Sequence, residues 1–347
     1  MVHMGRIVRM GHMGRMGLTK HGGEKCGKVV NKLSGTNDLN VKLARPLCGL
    51  TELRDYDPYI SDLAALLTGV KPVIYIDLDI RSWPYIHELC RRFKLKYVFP
   101  EEEYHKEAFH LTPGKKIIIL GFNQRKIREA ARQWSISVVS VPWGVALGYP
   151  QCCVKTYAKW QHAESPFKKT PDLIKVISGQ TRAKEQLSFT VNNIYNYYSR
   201  IRGGPKDEAM QQEIVAINSN ITFATLQVIS WHPCSYNCRK SLAAGEKIFA
   251  FMEYYMPNFA GHIKHYLARP VIFFDKYEFV TLDGRLRAGK LDYCGIPGPV
   301  SLAPAALFDK IRSLSEPAEK RRGARLDIKK LFSAAWKKKP ELLNFGE

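Results

Sequence analysis

Two short stretches place thiols where they could act together: GYPQCCV, with Cys152 and Cys153, and WHPCSYNCRKS, with Cys234 and Cys238. Each pair follows a proline, Pro150 or Pro233. Proline suits the first position of a helix, where its missing N–H costs nothing. The spacing therefore predicts that both pairs open a helix, where unpaired N–H groups and the positive dipole end favour thiolate over thiol. On a helix, Cys234 and Cys238 share one face, whereas the adjacent Cys152 and Cys153 diverge by about 100°. Only one of the adjacent pair is then expected to join the other two. His232 could add a nitrogen ligand or a proton, and Lys240, Ser241 and Lys247 could meet an anionic substrate as residues of a catalytic surface.

Thiolates select zinc, Cu(I) or iron–sulfur clusters over hard metals. The pattern is neither the paired C-x2-C zinc knuckle nor the ferredoxin run. An iron–sulfur cluster, [4Fe–4S], is the preferred cofactor, with zinc as the alternative. Cys294, in the turn DYCGIPGP, is a candidate further metal ligand. Cys90 lies in the helical pattern SWPYIHELCRRF and reads as a small core residue. The pairs could instead be redox-active thiols or buried structural cysteines.

The two motifs together resemble an uncharacterised prokaryotic family carrying GYP-x-C-C and HPC-x3-C. The resemblance runs from about Lys71 to about Cys294. It implies that Cys152, Cys153, Cys234 and Cys238 belong to one recurrent site, and it implies no activity.

The elements that must position these residues read as α/β. KPVIYIDLD, LKYVF, KKIIILGF and ISVVSVPW read as strands alternating with helices, over about 52–145. That alternation predicts a mostly parallel βαβ layer. GFN after the third strand is no phosphate fingerprint. Asp77 and Asp79 sit at a strand end, where they could hold Mg²⁺ but more simply cap the following turn. Residues 172–200 read as helical, and Tyr195, Tyr197, Tyr198, Arg200 and Arg202 could stack bases and bind phosphates. FATLQVISW reads as a strand delivering His232–Cys238, and KSLAAGEKIFAFMEYYM as a long helix. PVIFFDKYEFVTLDGRLRAGKLDYCG reads as a hairpin or meander turning at Asp283-Gly284. The domain expectation is a basic disordered arm at 1–46, an α/β domain at 47–148, an α+β cysteine domain at 149–300 and a flexible basic tail at 301–347.

The formal net charge is +21, of which residues 1–46 contribute +7 and residues 301–347 contribute +5. Spread this widely, it points to a polyanionic partner, RNA above all. Residues 1–25 repeat Met-Gly and read as an arm or as upstream sequence. No signal-peptide pattern or long apolar span appears, which favours a cytoplasmic protein with reduced thiols. The leading functional expectation is a metal- or iron–sulfur-dependent enzyme acting on an anionic substrate such as RNA. The alternatives are a nucleic-acid-binding module with a structural metal, and a metal-free thiol redox protein.

Overall fold

Apolar runs generate the first sheet. In a computed structural model that describes residues 60–105, 115–162, 172–196, 226–295, 303–317 and 323–346 (Val139 and Glu185 excepted), VIYIDLD forms β1 (Val73–Asp79) and KKIIILG forms β3 (Lys115–Gly121). A short β2 (Lys96–Val98) completes the order β1-β3-β2. Before them stands α1 (Ile60–Leu67); between them lie α2 (Trp83–Phe93) and the single turn α3 (Pro100–Glu103). Both pairings are antiparallel, with Val73 opposite Gly121 and Asp79 opposite Lys115. The expected parallel βαβ layer is therefore corrected: β3 inserts between β1 and β2 and runs against both. A continuous apolar run reads the same in either direction, so the sequence carries no sign of strand polarity.

After β3, Asn123 caps α4 (Gln124–Ile136), its side chain accepting from the N–H groups of Arg125 and Lys126. Ile127, Ala130, Ala131 and Trp134 of α4 pack on Val73, Ile117 and Ile119. ISVVSVPW, expected as a strand, instead ends α4 and begins α5 (Val141–Ala146), which Ser140 caps through the N–H of Trp143. A proline at the start of a segment with a serine cap before it favours helix over strand.

The remaining elements are α6 (Gln151–His162), α7 (Leu173–Gly179), β4 (Leu187–Ser188), α8 (Arg239–Tyr255) and α9 (Pro257–Leu267). They are followed by β5 (Pro270–Asp275), β6 (Glu278–Thr281), β7 (Asp283–Arg287) and β8 (Lys290–Gly295). Last come α10 (Ala305–Ser313), β9 (Ser315–Pro317), β10 (Ala324–Asp327), α11 (Ile328–Ser333) and β11 (Glu341–Gly346). Two four-stranded sheets result, β4-β11-β5-β6 and β7-β8-β10-β9. The long helix expected over 172–200 is broken: α7 ends at Gly179, and β4 and a turn of 3-10 helix at Phe189–Val191 follow. FATLQVISW, in its described part 226–231, is bent chain with no strand.

The turns of the meander fall at Lys276-Tyr277 and at Ala288-Gly289. Asp283 and Gly284 lie inside β7, at a bulge opposite Tyr293 and Gly295. The described part of 301–347 is no flexible tail. β11 pairs antiparallel with β5 and parallel with β4, and its alternation buries Leu343 and Phe345 in one core and Leu342 in another. The basic arm at 1–46 lies outside the described residues. The described residues cluster as one unit, and the largest core joins Ala64 and Ala65 of α1 to Cys153, Cys238 and Phe345. Among the described residues, no helix is long and apolar enough to cross a membrane.

Candidate metal centre

Cys152 and Cys153 stand in the opening turn of α6, as the proline before them predicts. The N–H groups of Cys153 and Val154 both donate to Pro150 O, at 2.9 and 3.0 Å. Two glycines fix where this turn sits. A Cβ on Gly144 would meet Val154 Cγ1 at 2.8 Å, and one on Gly148 would meet Pro72 Cδ at 2.4 Å. Gly148 also has φ +85°, a left-handed conformation that side chains disfavour.

The second pair departs from expectation. Cys234 is not on a helix; Cys238 is the N-cap of α8, which starts at Arg239. Residues 235–238 form a turn closed by the Cys238 N–H donating to Ser235 O at 3.0 Å. Ser at the first position and Asn237 near the apex are residues that such turns favour. The Tyr236 N–H donates to Thr181 Oγ1 at 2.9 Å, and Tyr236 Oη donates to Asn193 Oδ1 at 3.0 Å. Those bonds hold the segment as a turn, and the helix begins only after it.

All four sulfurs lie within 4.8 Å of one another. Cys238 Sγ is 3.8 Å from Cys152 Sγ and 3.7 Å from Cys153 Sγ, while Cys152 and Cys153 are 3.9 Å apart. Both adjacent cysteines therefore join, contrary to the expectation that only one would. The turn sets Cys238 between them, so their divergence around the helix does not exclude either. Cys152 is exposed, Cys234 half-buried, and Cys153 and Cys238 buried. Such a donor set fits a soft metal ion.

The thiols perturb one another strongly. Cys238 is lowered to about 4, chiefly because the Cys153 thiol donates to it. Cys153 is pushed well up by that same bond and then by burial, and Cys234 is raised to about 12 by burial and the neighbouring Cys238 charge. Ser241, expected at a substrate surface, is fully buried behind the sulfurs. Its Oγ lies 3.2 Å from Cys153 Sγ and accepts from Trp231 Nε1 at 3.0 Å. The Cys234 N–H also donates to Cys153 Sγ, at 3.3 Å.

Against Cys153 lies a cavity of about 140 Å³, walled mainly by Tyr75, Trp143, Tyr149, Tyr157 and Trp231, with His232. His232 is buried but is not part of the sulfur group. Its ring stacks on Tyr157 with centroids 5.7 Å apart, and its Nδ1 is hydrogen-bonded to Asn193 Nδ2. Since Asn193 Oδ1 is engaged by Tyr236, the amide N–H donates and His232 Nδ1 accepts. Tyr149 packs on Trp231 at 5.4 Å and carries the buried Lys71 ammonium over its face at 4.8 Å. Lys71 pairs with Asp62 at 2.9 Å, and burial lowers its pKa against that pairing. This wall was missed in the sequence, although the Tyr of GYP and the Trp-His of WHP flank the cysteines directly.

Other candidates lie elsewhere. Cys294 is exposed on β8 and does not join the four. Lys240 and Lys247 are exposed on α8 and are absent from the cavity wall. Asp77 pairs with Lys115 of the neighbouring strand at 3.5 Å, two residues off its register partner Ile117. Tyr195 is fully buried, its hydroxyl 2.7 Å from Thr281 Oγ1, so it packs in the core. Tyr197, Tyr198, Arg200, Arg202, Cys26 and Cys48 lie outside the described residues. Cys90 is buried, as expected, and burial raises its thiol to about 11. No family model matches the chain, and no curated protein or solved structure shows significant similarity to it.

Proposed function

We propose that this is a metal–thiolate protein in which one soft ion, zinc by preference, joins α6 to the 234–238 turn and holds the wall of a ligand cavity. The carrying observation is the set of sulfur separations, 3.7, 3.8 and 3.9 Å. Four bonds of about 2.3 Å to one tetrahedral ion put sulfurs about 3.8 Å apart. In a [4Fe–4S] cube each thiolate binds a different iron, so its sulfurs spread wider than one tetrahedron. The preference therefore moves from cluster to single ion. Four thiolates complete the shell, and a closed shell is the mark of a structural site.

The ligand would then be held by the cavity beside the metal. Among the described residues no Lys or Arg stands in its wall, which favours an uncharged ligand over the anionic one expected at this site. A space near 150 Å³ takes a single aromatic ring, and the Tyr and Trp faces suit one. We infer also that the paired motifs mark the recurrent site of the family they resemble, and that four free thiols suit a reducing compartment.

The test is purification without oxygen, followed by metal analysis and an absorption spectrum. Stoichiometric zinc in colourless protein, lost in Cys238→Ser, supports the reading. Brown protein with several irons per chain would restore the cluster, and metal-free protein with reactive thiols would favour redox chemistry.

A further inference from the structure

The end of α9 and the exposed face of β7 enclose a second recess, of about 570 Å³. Among the described residues its wall holds Lys264, His265, Arg269, Arg285 and Arg287 against one carboxylate, Asp283. The strand sequence DGRLR explains the convergence: alternation exposes Asp283, Arg285 and Arg287 while Gly284 and Leu286 turn inward. Glycine is required inside, because a Cβ at 284 would lie 2.2 Å from Asp292 O.

Arg269 is the unusual member, with only 5% of its surface exposed. Its Nη2 lies 2.8 Å from His265 Nε2. A guanidinium can only donate, so the imidazole nitrogen accepts and brings no negative charge of its own. The histidine therefore leaves the guanidinium charge uncompensated. Asp283 stands 3.7 Å away and its side chain is 59% exposed, too distant for a charge-assisted hydrogen bond and well screened. That one solvent-facing carboxylate offsets the buried charge only in part, and an anion entering the recess completes the compensation. The outer arginines are also poorly matched. Asp292, opposite Arg285 in the register, is engaged by Arg325 at 2.6 Å, and Lys290 stands opposite Arg287.

We propose that this recess binds the phosphate groups of a nucleotide or of a nucleic-acid strand, with Arg269 as the buried anchor. Arg285 and Arg287 reach separate anionic groups, since residues two apart on a strand stand about 6.6 Å apart. A ligand with more than one phosphate satisfies both, and guanidinium forks match phosphate oxygens. The recess has the volume of a small-ligand site. It is independent of the cysteine centre and gives the chain's positive charge a specific place to act.

The test uses the full chain at low salt with two probes, inorganic pyrophosphate by calorimetry and a short labelled oligouridylate by anisotropy. Arg285→Ala/Arg287→Ala is compared with Arg125→Ala/Arg128→Ala, a pair equally exposed on α4. The recess pair should weaken pyrophosphate on the order of tenfold, and the α4 pair should not. If the oligouridylate is held there too, its salt slope falls by about 2 in the recess pair alone. A loss confined to pyrophosphate assigns the recess to a free phosphorylated ligand; a loss of both assigns it to a strand. Arg269→Lys, which keeps the charge and removes the fork, should also weaken pyrophosphate. Equal effects of the two double variants, or no binding of either probe by the parent protein, overturn the proposal.

Discussion

The two cysteine segments reach the same point by different means. The α6 side is held by shape: Gly144 lies against Val154, Gly148 against Pro72, and the first helical turn leaves the backbone one conformation. The 234–238 side is held by polar contacts, with Thr181 and Asn193 gripping Tyr236 and Ser235 closing the turn. A helix start delivers two adjacent sulfurs rigidly but cannot surround an ion. A turn can wrap the other side, yet it needs partners from distant chain to stay wrapped. The centre combines one stiff half with one adjustable half.

Removing a buried sulfur should erase the distinction altogether. Cys153→Ser and Cys238→Ser each strip a ligand from the inner side, where the hydroxyl that replaces it is a poor donor to a soft ion. Metal content should fall from stoichiometric to near zero, with a marked drop in the thermal midpoint. Elemental analysis and a melting curve on the same samples check both. Cys152→Ser should do less, because the lost ligand is the exposed one and water can take the fourth position. Metal should persist but exchange readily, measured by competition with a chromogenic chelator.

Stiffness itself can be tested at Gly148. Gly148→Ala places a Cβ against Pro72 at a left-handed φ, which should cost about 1–3 kcal/mol of stability. Denaturant unfolding of the metal-loaded protein reads it, and a cost under half of that range would mean the α6 side is less rigid than described. Next in size is Ser241→Ala, which removes a hydroxyl between Cys153 and Trp231 without touching the shell. Metal affinity should fall on the order of tenfold, the usual cost of losing an outer partner. Thr181→Ala loosens only the turn and should cost about 1 kcal/mol, read by the same unfolding titration.

Much of this centre was legible from Pro150 and from the short spacing within each motif. A proline one residue before the helix that carries the thiols does set the start of α6. Pro233 misled because the same residue also leads into a turn; Ser235 and Asn237 were the signal, and their partners Thr181 and Asn193 are some fifty residues upstream. Strand existence was readable in VIYIDLD and KKIIILG, but direction was not. Direction depends on chain reversals that leave no mark on an apolar run. The C-terminal charges hid β11, whose ELLNFG alternates between two cores only once both are in place. Cys294 was expected in a turn and lies instead in β8, away from the four sulfurs, a placement no local pattern encodes.

Cys152 and Cys238 are 86 residues apart in sequence. An ion gripping both acts on the unfolded chain as a removable cross-link, closing a loop of that length before or after the rest assembles. For a permanent bridge such a closure would restrict the unfolded chain by about 4–5 kcal/mol. In the proposed centre the restriction would come and go with metal supply, and the protein's resistance to unfolding would follow the free-ion level of its surroundings.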